Sequence, residues 1–260
     1  MDFEDFVNEN QKTWNKWTPT HINSKFYNNE EFKMTGNSLH SIELNALNNI
    51  KNKTLLHLQC HFGQDSISLA KKGANVTAVD FSSASINEAK KLSKLMGIKV
   101  NFILDNILNF EINQKFDLVF SSYGVVGWLP DLDRWAKTIS KHLKKGGVFV
   151  LTEFHPFYEM IKDKGNNYFY TKKPEIEIKH GSYVEGNNNF KTKTFFWNHS
   201  LTDIFGSLEA NGMKLCLFEE FNYCPFPLPN MIKIDDKKYL LQKRAKLSTP
   251  YIFNLKAEKK

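Results

Sequence analysis

The chain has 260 residues, 41% of them apolar and 24% charged, the balance of an ordinary folded domain, which excludes a disordered or collagen-like protein. Its net charge of +7 raises nucleic acid as a partner, yet among 35 basic residues only Arg134 and Arg244 are arginine. Arginine makes the bidentate contacts to guanine and phosphate, so no nucleic-acid partner is expected.

No apolar run reaches the roughly 18 residues of a membrane span. The acidic start MDFEDFVNEN lacks the apolar stretch of a signal peptide. Cys60, Cys216 and Cys224 are too scattered for a disulfide framework. The expectation is a reduced, cytoplasmic protein with no membrane partner.

Residues 1–53 read as a polar, helical N-terminal cap, with Trp14, Trp17, Phe26, Tyr27 and Phe32 at irregular spacing. Within it, Leu39, Ile42, Leu47 and Ile50 fall at helical intervals. Short apolar runs then alternate with amphipathic stretches through residues 54–156. The first strand spans 54–59, and a helix over 64–72 is stopped by Gly73. A second strand, 75–79, ends at Asp80. A helix over 85–96 opens on Ser85 and Glu88, spaced as a capping box. Strands are predicted over 99–104 and 116–121. Pro130 opens a helix over 130–144, and Gly146-Gly147 turns into a fifth strand over 148–153.

Residues 157–198 are aromatic and β-branched with Gly and Asn punctuation, which predicts an inserted antiparallel hairpin. Residues 199–260 supply a closing helix (199–211) and two strands (214–219 and 250–255). The segment YCPFPLPNM between those strands reads as an irregular loop.

Strands alternating with helices predict a doubly wound, mostly parallel α/β sheet in one domain. Ligands of such sheets sit at the carboxyl ends of the strands, at the topological switch point. The first strand runs through LLHLQCHFGQD into a helix, the geometry of a nucleotide-cofactor site. Asp80 then stands at the end of the second strand, where a carboxylate can accept hydrogen bonds from ribose hydroxyls. The glycine spacing of a dinucleotide fingerprint is missing, since only Gly63 is present. A cofactor without a pyrophosphate does not need it.

HLQCHFGQD followed by VTAVDFS resembles the core of class I S-adenosylmethionine-dependent methyltransferases. Within that class it is similar to a bacterial branch whose cofactor loop reads LQCHFG. YGVVGWLPDLDRW, LKKGGVFVLTEFHPF, WNHSLTDIF and PYIFNLKA extend the resemblance over nearly the whole chain. It departs from the wider class at Gln59 and His61, where glycines usually stand. The resemblance implies a Rossmann-like fold and S-adenosylmethionine as cofactor. It implies that Gln59, Cys60, His61 and Gly63 wrap the methionine part, Asp80 binds the ribose, Phe81 packs on the adenine, and Asp105 and Asn106 reach the adenine edge. It further implies that Ser121, Ser122 and Tyr123 line the junction with the acceptor, and that Tyr27 closes over the site.

Glu153 and His155, at the end of the fifth strand, and Tyr123 are the candidates for catalytic base or acceptor anchor. His199 is assigned to capping or packing, and Cys60 to packing beneath the cofactor. His57, Cys60 and His61 lack a second ligand pair at zinc spacing, so no metal is expected. The function expected is in-line methyl transfer to a small-molecule acceptor, with no prediction of oligomeric state. A nicotinamide-dependent oxidoreductase and a non-catalytic cofactor-binding module stay open as alternatives.

Overall fold

A computed structural model describes residues 3–162, 167–186 and 189–260. The chain opens with three helices, α1 (Phe3–Ile22), α2 (Asn29–Thr35) and α3 (Ser41–Leu47). There follow β1 (Thr54–Leu58), α4 (Gln64–Lys71), β2 (Asn75–Asp80), α5 (Ser83–Met96) and β3 (Asn101–Leu104). Next come β4 (Phe116–Ser122), α6 (Leu132–His142), β5 (Leu143–Phe154) and α7 (Pro156–Lys162). The last third holds β6 (Glu175–His180), β7 (Lys191–Phe196), α8 (Leu201–Ala210), β8 (Met213–Phe221), β9 (Met231–Asp235), β10 (Lys238–Leu241) and β11 (Ile252–Lys259).

Among the described residues the main sheet has seven strands in the order β3-β2-β1-β4-β5-β11-β8. The first five run parallel, and β11 lies antiparallel between β5 and β8. This is the Rossmann-like sheet the resemblance implies. The chain leaves β1 toward β2 and β3, then returns to lay β4 on the other side. The switch point therefore lies between β1 and β4, the place where sheets of this kind form a ligand crevice at the carboxyl ends. One apolar cluster packs α6 and α8 on one face, and another packs α3, α4 and α5 on the other. Helix α6 shows why: Leu132, Trp135, Ala136 and Ile139, at helical intervals, are all buried. Full burial of each large side chain contributes about 1.5–3 kcal/mol.

Several boundaries differ from expectation. The cap of α5 is Ser82, whose hydroxyl accepts from the Ser85 N–H at 3.1 Å, so the helix begins two residues before Ser85. Asp131, not Pro130, opens α6, accepting from the Arg134 N–H at 3.0 Å. Gly146-Gly147 is no turn before the fifth strand, because β5 runs from Leu143 straight through it. Its pairing jumps from Phe116–Leu143 to Leu118–Val148, so the glycines form a bulge. The inserted hairpin exists as β6–β7, but α7 precedes it and YFYTKK is not a strand. The parts of the expected insertion at 163–166 and 187–188 lie outside the described residues. The proline loop is followed by an unexpected hairpin, β9–β10.

Candidate functional site

The turn after β1 has the backbone of a glycine loop without its glycines. Gln59, His61 and Gly63 adopt φ of 56°, 50° and 83°. Left-handed backbone costs a non-glycine residue roughly 1–2 kcal/mol, so the surroundings must hold it. They do so through the Cys60 N–H to Val79 O (3.0 Å), the Gly63 N–H to Cys60 O (3.0 Å) and the His61 N–H to Asp80 Oδ2 (2.8 Å). At Gly63 only glycine fits, since a Cβ there would lie 2.8 Å from the Phe102 ring and 2.9 Å from Ala89.

Asp80 ends β2 with its carboxylate buried against that loop. It also accepts from the Ser82 N–H at 2.8 Å, and burial raises its pKa to about 6. Beside it, the Asp105 N–H donates to Asp80 O, which sets Asp105 and Asn106 at the end of β3. Helix α1 lies across this edge. Gln11 donates to Phe81 O at 2.6 Å, and Asn15 Oδ1 accepts from the Ser82 hydroxyl at 2.8 Å. Thr18 meets Ser85 at 2.9 Å.

Above the loop stands a layer of rings. Trp14 packs edge-on against His61 (5.1 Å) and Trp128 (5.3 Å). His21 stacks on Tyr27 at 5.3 Å, and the Tyr27 and Tyr183 hydroxyls are hydrogen-bonded. His21 Nδ1 is 3.2 Å from His61 Nε2. Burial keeps both imidazoles neutral, with His21 pushed down to about 3. Three buried polar atoms at this edge have no hydrogen-bond partner among the described residues: His21 Nε2, Gln59 Oε1 and Ser121 Oγ.

A polar cluster lies under the end of β4. Ser122 donates to Asp65 Oδ2 at 2.9 Å. Tyr123, at φ 43°, donates its hydroxyl to Glu43 Oε2 at 2.6 Å. Burial, with Asp65 nearby, raises Glu43 to about 8. Phe226, from the proline loop, packs edge-on against Tyr123 at 5.0 Å.

The structure does not bring Glu153 and His155 together with this crevice as free groups. The Glu153 carboxylate accepts from the backbone N–H groups of Gly124, Val125 (2.7 Å), Val126 (2.9 Å) and Phe154 (2.6 Å). It braces the loop after β4. His155 accepts the Phe157 N–H at Nδ1 (3.0 Å), so Nε2 carries the proton, 2.9 Å from Glu220 on β8. That places the ring toward the far edge of the sheet. Cys60 is buried in the apolar core, where burial pushes its thiol up. His199 holds Leu129 O at 2.8 Å and stacks on Tyr170.

Trp14, His21, Glu43, Trp128 and Tyr183 were not singled out from the sequence. A signal existed: Asn10, Trp14, Trp17 and His21 fall on one face of α1 at helical spacing, so the two tryptophans of the irregularly spaced set share a helix face.

The fold and this crevice define a Rossmann-like methyltransferase. A family model described as "Methyltransferase domain" matches residues 49–206, and the chain belongs to that family. Membership favours methyl transfer over nicotinamide chemistry. The chain is similar to a ubiquinone biosynthesis O-methyltransferase of Rickettsia canadensis, 26% identical over 105 residues, 40% of this chain and 44% of that one. It thus spans under half the length of this curated relative. An S-adenosylmethionine-dependent methyltransferase of Clostridium acetobutylicum shares the fold with TM-score 0.59 at 20% identity, over 95% of this chain and 92% of that one. Another, from Mesorhizobium loti, gives TM-score 0.57 at 17% identity, over 84% and 96%.

The residues present fit S-adenosylmethionine. The left-handed loop, the strand-end Asp80 and the unpartnered atoms His21 Nε2, Gln59 Oε1 and Ser121 Oγ are polar groups of the kind its ribose and amino-acid end can bond. Among the described residues, no helix is long and apolar enough to cross a membrane.

Proposed function

We propose that this protein transfers a methyl group from S-adenosylmethionine to a small-molecule acceptor, and that it belongs to the bacterial branch with the LQCHFG loop. The observation that carries the reading is the left-handed backbone at Gln59, His61 and Gly63, held against Asp80. It keeps the path of a cofactor loop where the glycine letters are gone.

When bound, the cofactor supplies a methyl carbon made electrophilic by its sulfonium. The chain's own residues bind, orient and dry the site. Asp80 accepts from the ribose hydroxyls, Phe81 packs on the adenine, and Asp105 and Asn106 flank its edge. The loop from Gln59 to Gly63 holds the methionine part, with Cys60 packed beneath it. Ser121 and Ser122 line the floor between cofactor and acceptor. Trp14, Trp128 and Tyr27 exclude water, and their faces favour a cation. Holding the reactants in line can lower the barrier by about 7–11 kcal/mol. Of the three candidate bases, Tyr123 is the one we place at the acceptor, with its hydroxyl proton directed to Glu43 Oε2. We read Glu153 as the brace of that loop and His155 as a partner of Glu220. The small acceptor is supported by the SSYG sequence at the end of β4, which lacks the motif of nucleic-acid amino-methylating enzymes.

Calorimetric titration with S-adenosylmethionine, S-adenosylhomocysteine and NADH, on the wild type and Asp80→Ala, tests the reading. Micromolar binding of both adenosyl compounds, lost in the variant, is expected. Preference for NADH, or no binding, overturns it.

A further inference from the structure

The β6–β7 hairpin has one closed edge and one open edge. Helix α1 closes the β7 edge. Asn10 donates to Phe195 O at 2.8 Å and accepts from the Phe195 N–H at 2.9 Å, and Thr13 donates to Lys193 O at 2.8 Å. Among the described residues β6 pairs with β7 alone, so its outer edge has no strand beside it. No residue of β6 is buried. Ile176 and Ile178 are 57% and 56% exposed, and alternation puts them on one face of the strand. Such an edge is a template for another strand, and proteins usually blunt it with proline, a bulge or lysine. β6 holds no proline, and its pairing with β7 runs without a register shift. Its one lysine, Lys179, is neutralised by Glu177 at 2.8 Å.

The sequence EIEIKH complements itself when reversed. When it is laid antiparallel on a second β6 about a two-fold axis at Ile178, Ile178 faces its own copy. Ile176 then faces His180 and Glu177 faces Lys179, each pair occurring twice by symmetry. Directly opposite side chains share a face of the sheet, so the carboxylate and the ammonium meet on the face away from the isoleucines. Moving the axis one residue either way sets Glu177 or Lys179 against its own copy. Like charges directly opposite are destabilising, so the charge pattern selects the axis at Ile178.

We propose that β6 is an interface for a second copy of this chain, joined strand to strand through Glu175–His180 with the two-fold axis at Ile178. The two hairpins then form one antiparallel sheet in the order β7-β6-β6-β7, and α1 of each copy closes its outer edges. The inference stands apart from the cofactor and acceptor readings.

Sedimentation velocity on the full chain reads the mass of the wild type, Glu177→Lys and Lys179→Glu, and of an equal mixture of the two variants. The wild type is expected to reach the mass of two chains. Each single reversal sets like charges opposite each other in both symmetry-related pairs and should weaken association about tenfold or more. Mixing the variants sets opposite charges across both pairs and should restore the dimer. Each variant also loses its own Glu177–Lys179 pair, and Lys179→Glu loses the contact of Lys179 over the Trp17 ring at 5.5 Å. Those losses persist in the mixture, so restoration reports contact between copies alone. Hydrogen exchange of the wild type needs no variant: the amides of 175–180 should gain protection as concentration rises. Should either variant lose the circular dichroism of the wild type, the exchange result alone decides. A monomeric wild type, a dimer indifferent to either reversal, a mixture of folded variants that stays apart, or exchange at 175–180 independent of concentration overturns the inference.

Discussion

The centre of the sheet and its β5–β11–β8 side hold their polar groups differently. On the β5–β11–β8 side, Glu153 accepts from four backbone N–H groups, and His155 lies between the Phe157 N–H and the Glu220 carboxylate. At the β1–β4 switch point, Gln59, His61 and Tyr123 hold left-handed backbone, and His21 Nε2, Gln59 Oε1 and Ser121 Oγ lack hydrogen-bond partners among the described residues. Left-handed backbone gathers at the switch point, whereas on the β5 side the Glu153 carboxylate is spent on bracing a loop.

Substitutions in the two regions should therefore separate stability from binding. The largest loss of stability is expected for Glu153→Ala. It strands buried N–H donors after β4 and should cost about 3–5 kcal/mol by chemical denaturation. Gly63→Ala is next, at about 2–4 kcal/mol, because the new methyl meets Phe102 and Ala89 at a positive φ. A change in melting of less than a degree would show that the loop yields freely.

Glu43 gives a pH signature. Its folded pKa of about 8 lies above the ordinary 4.5, so the folded state keeps a proton that the unfolded chain releases. Stability then falls as pH rises from 4.5 to 8, at up to about 1.4 kcal/mol per pH unit. Glu43→Gln, which cannot ionise and can still accept from the His40 N–H, should melt higher than wild type near about pH 8 and alike near about pH 4. His21 carries the opposite sign. Its folded pKa of about 3 lies below 6.5, so stability is lost as pH falls through that interval.

Gln59→Gly should stabilise the protein by up to about 1 kcal/mol while weakening S-adenosylhomocysteine binding, a gain and a loss from one residue. The smallest effect is expected for His155→Ala, which should change turnover less than about twofold. A large loss of turnover with unchanged cofactor affinity would return His155 to the chemistry.

The parallel core was legible because strand and helix periods are local. The runs ending at Gln59 and Asp80, and the glycines after α4 and α5, place the crevice from neighbours in the chain alone. Gly146-Gly147 misled because glycine marks both turns and bulges, and only pairing with β4 distinguishes them. Ser85 misled because Ser82, Ser83 and Ser85 can all cap, and Asn15 of a distant helix completes the cap at Ser82. Glu43 was invisible because its burial and its bond to Tyr123 depend on packing between elements 80 residues apart. Gln59 and His61 were legible as departures from glycine, but their left-handed backbone was not.

Helix α1 is fastened on both flanks. One flank holds the crevice through Gln11, Asn15 and Thr18. The other exchanges two hydrogen bonds between Asn10 and the Phe195 backbone, and adds Thr13 to Lys193 O and Trp17 to Gly181 O on the β6–β7 hairpin. A displacement of α1 away from Phe81 and Ser82 would therefore carry the hairpin with it. Helix and hairpin are thereby joined into one unit, so that a loss of order in either should loosen the other.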